Sequence, residues 1–464
     1  MRFILCKVML RKAQIMSDTQ KISLTSGSIF RNMFLFALPL MATNLLQVLF
    51  NMSDIAVVGR FAGSIALGSV GSTTTLVTLF TGFLIGFGNA VNVIVAHFIG
   101  AKDTKNIKDG VHTSFIVSLS IGIILTFIGE LFCPDILELL KTKEELMPGA
   151  ILYVRIYMLG MPAFAIYNCG NGIYSAIGNT KKPLIYLSIS GILNIILNLF
   201  FVVVCKMDVA GVALASIATE YLAAFLVTLS LSKEKGAWQF KLSNIGINTG
   251  IFIKLLTIGI PSGVQYAIFQ IANLFVQYGV NTFDSTVVAA NTAAMNADAL
   301  VYETMAAYYT ACGSFIGQNY GAGNMKRVKQ SYLISLLYAF LTGAIMGTLI
   351  AIFGHQFLSL FTKDPAVVNA AMTRLVIMAF SYGFSALMDD STAAARGLGK
   401  SLIPMIFIIL GSCIFRIIWI FTIFAYFRTI ESLYALYIFS WLITAIPEII
   451  YFIIIYSKQK KYFG

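Results

Sequence analysis

Four polar side chains, Asn44, Gln47, Asn51 and Asp54, recur at offsets of 0, 3, 7 and 10 through the otherwise apolar run FALPLMATNLLQVLFNMSDIAVVGRFAG (36–63). That spacing puts all four on one face of a helix. An acid in such a stripe is either solvated at the helix end or a protonatable, ion-binding carboxylate. Facing lipid it would cost about 2.5–3.5 kcal/mol, so the stripe has to face protein or water. Asn194 and Asn198 stand one turn apart, as do Asn168 and Asn171, with Tyr174 close beyond. These amides either bond across helices, at about 0.6 kcal/mol each, or complete a site around Asp54. Gln270, Asn273 and Gln277, at offsets of 0, 3 and 7, form a second stripe read as cavity lining. Further acids are Asp298, Glu303, Asp389 and Asp390. Arg416, inside an apolar stretch, needs a partner or water, and Asp389 or Asp390 is the expected partner. Glu220 and Glu448 are assigned no role.

Other chemistries fail on their residues. The string ARGLGKS (395–401) has Ala394 where a P-loop requires its first glycine. HExxH is absent and His97, His112 and His355 are isolated, so an enzyme is not expected. The six cysteines form no CxxC pair, which argues against a zinc site or a disulfide framework.

The elements that would carry these residues span a membrane. Of 464 residues 58% are hydrophobic and 11% charged, less than half the roughly 25% of a soluble domain. Twelve apolar stretches are long enough to cross about 30 Å of hydrocarbon, at roughly 33–57, 66–98, 111–132, 147–177, 183–204, 209–231, 251–280, 286–317, 331–353, 367–395, 402–426 and 432–457. Spans this long and apolar have to be helical.

Most of the 32 basic residues lie in the N-terminal segment, the even-numbered loops and the C-terminal tail, so both termini are expected in the cytoplasm. The net charge of +12 is then a topology signal, and no nucleic-acid partner is expected. Met16 opens MSDTQKISLTSGSIF, which reads as an alternative start, and residues 1–15 are assigned no function.

The chain also repeats itself. Pro39 matches Pro261, and SIALGSVGST (64–73) matches TVVAANTAAM (286–295), at a separation of 222. IGAKDTKNIKD matches YGAGNMKRVKQ at 221; Arg155 matches Arg374, and Asn171 matches Asp390, at 219. Two repeats of six spans begin on the same side, so a pseudo-two-fold axis along the membrane normal relates them, with a cavity between. The expected architecture is all-α: a cytoplasmic segment 1–32, a lobe 33–231, a linker 232–250, a second lobe 251–457 and a tail 458–464.

Run 36–63 resembles the first helix of multidrug and toxic compound extrusion (MATE) exporters, with its embedded proline, amide-rich face and acid before VGR. GNTKKP, ILNIILN, MDVAGVALAS, IGIPSGVQ and IGQNYGAGN are similar to later family segments, and the likeness covers residues 25–455. It implies a secondary active antiporter of a bacterial inner membrane, exporting organic cations in exchange for H+ or Na+ by alternating access, without a cofactor and as a monomer in the lipid bilayer. It makes Asp54 the coupling carboxylate and a candidate Na+ ligand, with Asn171, Asn194 and Asn198 around it. Gln47, Asn51, Asn168, Tyr174, Gln270, Asn273, Gln277, Asp298, Asp389, Asp390 and Arg416 are the candidate substrate-cavity residues. Two departures leave the ion open: some members carry aspartate where Asn198 stands, and Gln270 stands near a glutamate of sodium-coupled members. The alternative within the wider superfamily is a lipid-linked-precursor flippase. Such flippases usually have fourteen spans and a basic cavity, whereas acids outnumber Arg416 here.

Overall fold

The computed structural model describes residues 21–359 and 361–463; the alternative start at Met16 and residues 1–15 lie outside the described residues. One bundle comprises α1 (Ile29–Phe61), α2 (Gly63–Gly100), α3 (Thr104–Leu139), α4 (Met147–Met158), α5 (Met161–Ile177), α6 (Lys181–Leu199) and α7 (Asp208–Ser232). The other comprises α8 (Thr249–Val280), α9 (Ser285–Gly321), α10 (Met325–Leu358), α11 (Pro365–Gly397), α12 (Leu402–Phe427) and α13 (Ile430–Phe463).

Among the described residues eleven spans satisfy both length and apolarity, if α4 with α5, and the two arms of α11, each count as one bent span. The twelfth is α9, whose 37 residues are long enough but carry too many polar groups to pass on hydropathy. The stretches 147–177 and 367–395, expected as continuous, are each bent by 47°, at matching places in the two repeats. In the first, Pro162 opens α5 and cannot donate to the preceding turn. The fifth and eleventh spans share another irregularity: α6 runs on into a π-helical turn, Phe200–Val204, and α12 contains two, Ile409–Ile414 and Ile420–Phe424.

The repeats meet about a pseudo-two-fold axis. Asn92 of α2 and Ser314 of α9 occupy equivalent positions 222 apart and bond to each other reciprocally, at 2.9 and 3.0 Å. Near the end of the molecule that carries the basic loops, a Cβ on Gly100 would strike the Gln318 carbonyl, and one on Gly321 the His97 carbonyl. Only glycine allows α2 and α9 to cross so closely.

The long first helices of the two bundles cross over reciprocally. Met33, Phe36 and Leu40 of α1 pack in the second lobe's core, whereas Val57 and Val58 pack in the first. In α8, Ile251, Leu255 and Ile258 join the first lobe's core, and Val276 and Val280 the second. Pro39 and Pro261 lie inside these helices.

The basic end is closed. Gln318 Nε2 donates to the Ala176 carbonyl at 2.6 Å, and Thr180 Oγ1 to the Phe36 carbonyl at 3.0 Å. Residues 21–28 strap the two lobes together over this closure. The Ile22 amide donates to Gly178 of the first lobe at 3.2 Å, and Lys21 pairs with Glu234 at 3.6 Å. Asn319 and Arg327 of the second lobe donate to the carbonyls of Leu24 and Gly27, each at 3.0 Å.

Candidate functional site

Two adjoining cavities open into the membrane-embedded part of the molecule, one in each lobe. The first-lobe cavity, about 280 Å³, is framed by α1, α2, α6 and α7. Gly191 of α6 has no side chain to hold off the Phe50 ring, so α1 lies directly on α6. One turn beyond Phe50 along α1 stands Asp54. Its Oδ1 accepts from Asn198 Nδ2 at 2.5 Å and its Oδ2 from Ser216 Oγ at 3.0 Å. Asn198 Nδ2 also donates to Asn194 Oδ1 at 3.0 Å, and Asn194 Nδ2 to Thr219 Oγ1 at 3.5 Å. Gln47, Asn51 and Asn194 line the cavity with Asp54, and so does Glu220. The Asn198 Oδ1 and Glu220 Oε2 atoms are buried without a partner. No lysine or arginine among the described residues pairs with either acid. What results is an oxygen-rich, uncompensated acidic pocket.

The second-lobe cavity, about 520 Å³, falls in the range of small-molecule sites. Gln270, Asn273 and Gln277 line it, as do Asp298 and Asp389. Its walls include Tyr266, Phe269, Tyr302, Tyr309, Tyr437 and Trp441. Asp298 is tied down: Arg374 Nη2 donates to its Oδ2 and the Tyr382 hydroxyl to its Oδ1, both at 2.5 Å. Ser385 Oγ donates to Asp389 Oδ2 at 3.1 Å, and Arg396 lines the same space. Thr74, Thr78 and Glu303 line both cavities and form their partition.

Six expected site residues line neither cavity: Asn198, which reaches the first only through its bond to Asp54, and Asn168, Asn171, Tyr174, Asp390 and Arg416. Asn168 and Asn171 lie on α5, where Gly88 and Gly172 let that helix press against α2, and the Asn168 amide donates to the Phe164 carbonyl at 2.9 Å. Tyr174 shares a 2.5 Å hydrogen bond with Ser230 Oγ. Asp390 points behind α11, where Ser335 Oγ donates to it at 2.6 Å. Arg416 pairs with neither Asp389 nor Asp390. It donates to Asn273 Oδ1 at 3.0 Å and Ser440 Oγ at 3.2 Å, and its guanidinium lies 4.7 Å from the Tyr437 ring centroid. Stacking, one amide oxygen and one hydroxyl stand in for an acid, and Arg416 Nη2 is left buried without a hydrogen-bond partner.

The sequence reading left out Ser216 and Thr219, gave Glu220 no role, and missed Glu303's place on the partition and the Arg374–Asp298 pair. Polar residues at i, i+3 and i+4 in ASIATE carried a signal for the first group. The ion pair depends on tertiary approach, for which a single sequence gives no spacing rule.

Twelve spans in two pseudo-symmetric bundles, each with a cavity that adjoins the other's, define a two-lobed membrane transporter. The family model MatE matches residues 39–200 and again 261–422, one match per lobe. The chain therefore belongs to the MATE family of multidrug efflux transporters. It is similar to the probable multidrug resistance protein YoeA of Bacillus subtilis, 27% identical over 395 residues that cover 84% of this chain and 85% of that protein. The probable multidrug resistance protein NorM of Thermotoga maritima is 24% identical over 383 residues, covering 80% of each. An outward-facing structure of a multidrug resistance MATE family transporter of the MOP superfamily superposes with a TM-score of 0.87, at 22% identity, over 96% of this chain and 99% of that one.

Proposed function

We propose that the protein is a monomeric antiporter of a bacterial cell membrane, exporting amphipathic organic cations in exchange for H+ or Na+. The single observation that carries this reading is Asp54, an acid within the membrane with both oxygens hydrogen-bonded and no basic partner. The first-lobe pocket is the ion site, with Asp54 as the exchanging carboxylate and Asn194, Asn198, Ser216 and Thr219 orienting it. A proton would reside on Asp54 itself. A sodium ion would draw on the carboxylate together with the unpartnered Asn198 Oδ1 and the hydroxyl oxygens, hard donors suited to a hard cation. The second-lobe cavity is the substrate site, where aromatic faces offer cation–π attraction. Lobes at 33–231 and 251–457, joined by a linker at 232–250, rock about the interface with both termini cytoplasmic. Neutralisation and re-ionisation of Asp54 bias the two states. Closure of the basic end then corresponds to an outward-facing state.

Ethidium efflux from vesicles under separately imposed proton and sodium gradients tests this. One gradient is expected to drive efflux. Efflux that ignores both gradients contradicts the proposal.

A further inference from the structure

We propose that the linker between the lobes is a membrane-interface anchor, which seats Leu242, Ile245 and Ile247 in the anionic headgroup layer of the leaflet at the basic end. The placement rests on the sidedness proposed above, which makes that leaflet the cytoplasmic one. The three side chains are 76%, 51% and 56% exposed, and all belong to one short loop between the spans. Single exposed apolar residues are ordinary, but a cluster of them marks a contact surface.

The loop is held firmly at both ends. Phe240 is buried against α3, its ring stacked on Phe115 at 4.2 Å and on His112 at 5.4 Å. The Lys241 amide donates to His112 Nε2 at 3.0 Å, and the Asn248 amide to Thr113 Oγ1 at 3.1 Å. Asn248 also caps α8 with its side chain. Adjacent residues of α3 thus pin both ends, and the turn Leu242–Asn244 with the residues up to Ile247 stands out between them.

Depth and charge identify what covers these tips. Along α3 the first large apolar side chain left exposed is Leu119, seven residues past His112 and so about 10 Å deeper. On α8 the exposed apolar row begins at Ile253, in the second turn. The tips therefore lie at the boundary between headgroups and acyl chains, where amphipathic segments bury their apolar side about 5–10 Å. Lys233, Lys235 and Lys241 of the linker are exposed, as are Lys105, Lys108 and Lys254 on the adjoining helix starts. The acids of the same region are engaged: Asp103 caps α3, Asp109 accepts from Asn248, and Glu234 accepts from Lys182. Apolar tips among lysines fit an anionic lipid surface. Because the linker is the covalent connection between the lobes, seating it fixes their junction to one leaflet.

The test uses the full chain in liposomes of phosphatidylcholine and phosphatidylglycerol, in a cysteine-replaced background, with a bimane label on Ile245→Cys or on Lys235→Cys. The label at position 245 is expected to be quenched by brominated acyl chains and shielded from an aqueous quencher, and the label at position 235 to behave in reverse. Brominated phosphatidylglycerol is expected to quench the former more than phosphatidylcholine brominated at the same position and mole fraction. Lys241→Gln should reduce that enrichment about fivefold, the share of one lysine near the surface. Leu242→Cys carries the same test if Ile245→Cys does not purify as a single species. A label at position 245 open to the aqueous quencher, or quenched equally by both lipids, overturns the proposal and leaves the sidedness standing. In right-side-out vesicles, a label at position 235 reached by the aqueous quencher from outside overturns the sidedness and this placement with it.

Discussion

Within the spans, acids that share one apolar environment are divided by their neighbours into different tasks. Asp298 is structural: Arg374 and Tyr382 satisfy it, and Arg374 in turn donates to Asn291 Oδ1 at 2.8 Å. Arg374→Ala would leave that carboxylate buried with only a hydroxyl donor. We expect a loss of about 3–5 kcal/mol, read as a lowered Tm of the purified protein and partly recovered in Arg374→Ala/Asp298→Ala. An unchanged Tm would remove the pair from the account of stability. Asp54, by contrast, has amide and hydroxyl donors and no cation, an arrangement that tolerates both loss and gain of charge. Its amide stripe was legible in the sequence because helical spacing alone puts Asn44, Gln47, Asn51 and Asp54 on one face. The roles of Asp390 and Arg416 were not legible. Asp389 and Asp390 are adjacent, so they diverge on the helix, and which one meets the cavity depends on the rotation of α11 against α10.

At the scale of the helices, closure of the basic end rests on small residues and short contacts. A side chain on Gly321 would be driven into α2, so Gly321→Leu should hold that end open. In a cysteine-replaced background, a cysteine at Ser314 is expected to become reactive towards an impermeant thiol reagent from the basic side. Continued protection would show that α2 and α9 can separate there without opening a path.

The strap over the closure has a titratable clasp at Glu234, outside the spans. Burial raises its carboxyl, but Lys182 at 2.5 Å, the Trp238 indole N–H and Lys21 outweigh it and hold the group below the usual glutamate range. A carboxyl lowered on folding adds stability above its unfolded pKa, and that contribution disappears as pH falls through the folded value. Thermal unfolding followed from pH 7 downward should therefore show a loss beginning below about 4.5, the ordinary glutamate value. Glu234→Gln should be less stable at pH 7 and lack that loss; an identical acid limb in the variant would discount the clasp. The helices themselves were largely legible, since long apolar runs leave few alternatives. Their bends and the π-turns were not, because a run of apolar residues fits a straight or a broken helix equally well. The eighth span, α9, was expected at 286–317 as an apolar stretch, although its polar residues keep its hydropathy below that of the other spans. Among those polar residues Asn291, Asp298 and Glu303 line the cavities.

For the whole molecule, two repeats produce a scaffold with nearly equivalent halves and inequivalent contents. Asn51 and Asn273 are repeat equivalents, each lining the cavity of its own lobe, whereas Val276 stands at the repeat position of Asp54. The first lobe thus keeps an acid without a basic partner, and the second has the larger, aromatic space. This division was visible only once the cavities existed, because it turns on volume and on which side chains face it. Sidedness can be checked independently. A cysteine at Lys143 is expected to react with an impermeant reagent from outside and one at Lys241 from inside, and equal accessibility would break the twelve-span topology. Whether charge exchange at Asp54 drives export is decided by Asp54→Asn in vesicles. The substitution keeps shape and hydrogen-bonding capacity while removing the exchangeable charge. With insertion and ethidium binding verified, efflux driven by an imposed gradient is expected to be lost while binding is retained. Efflux at the wild-type rate would contradict it.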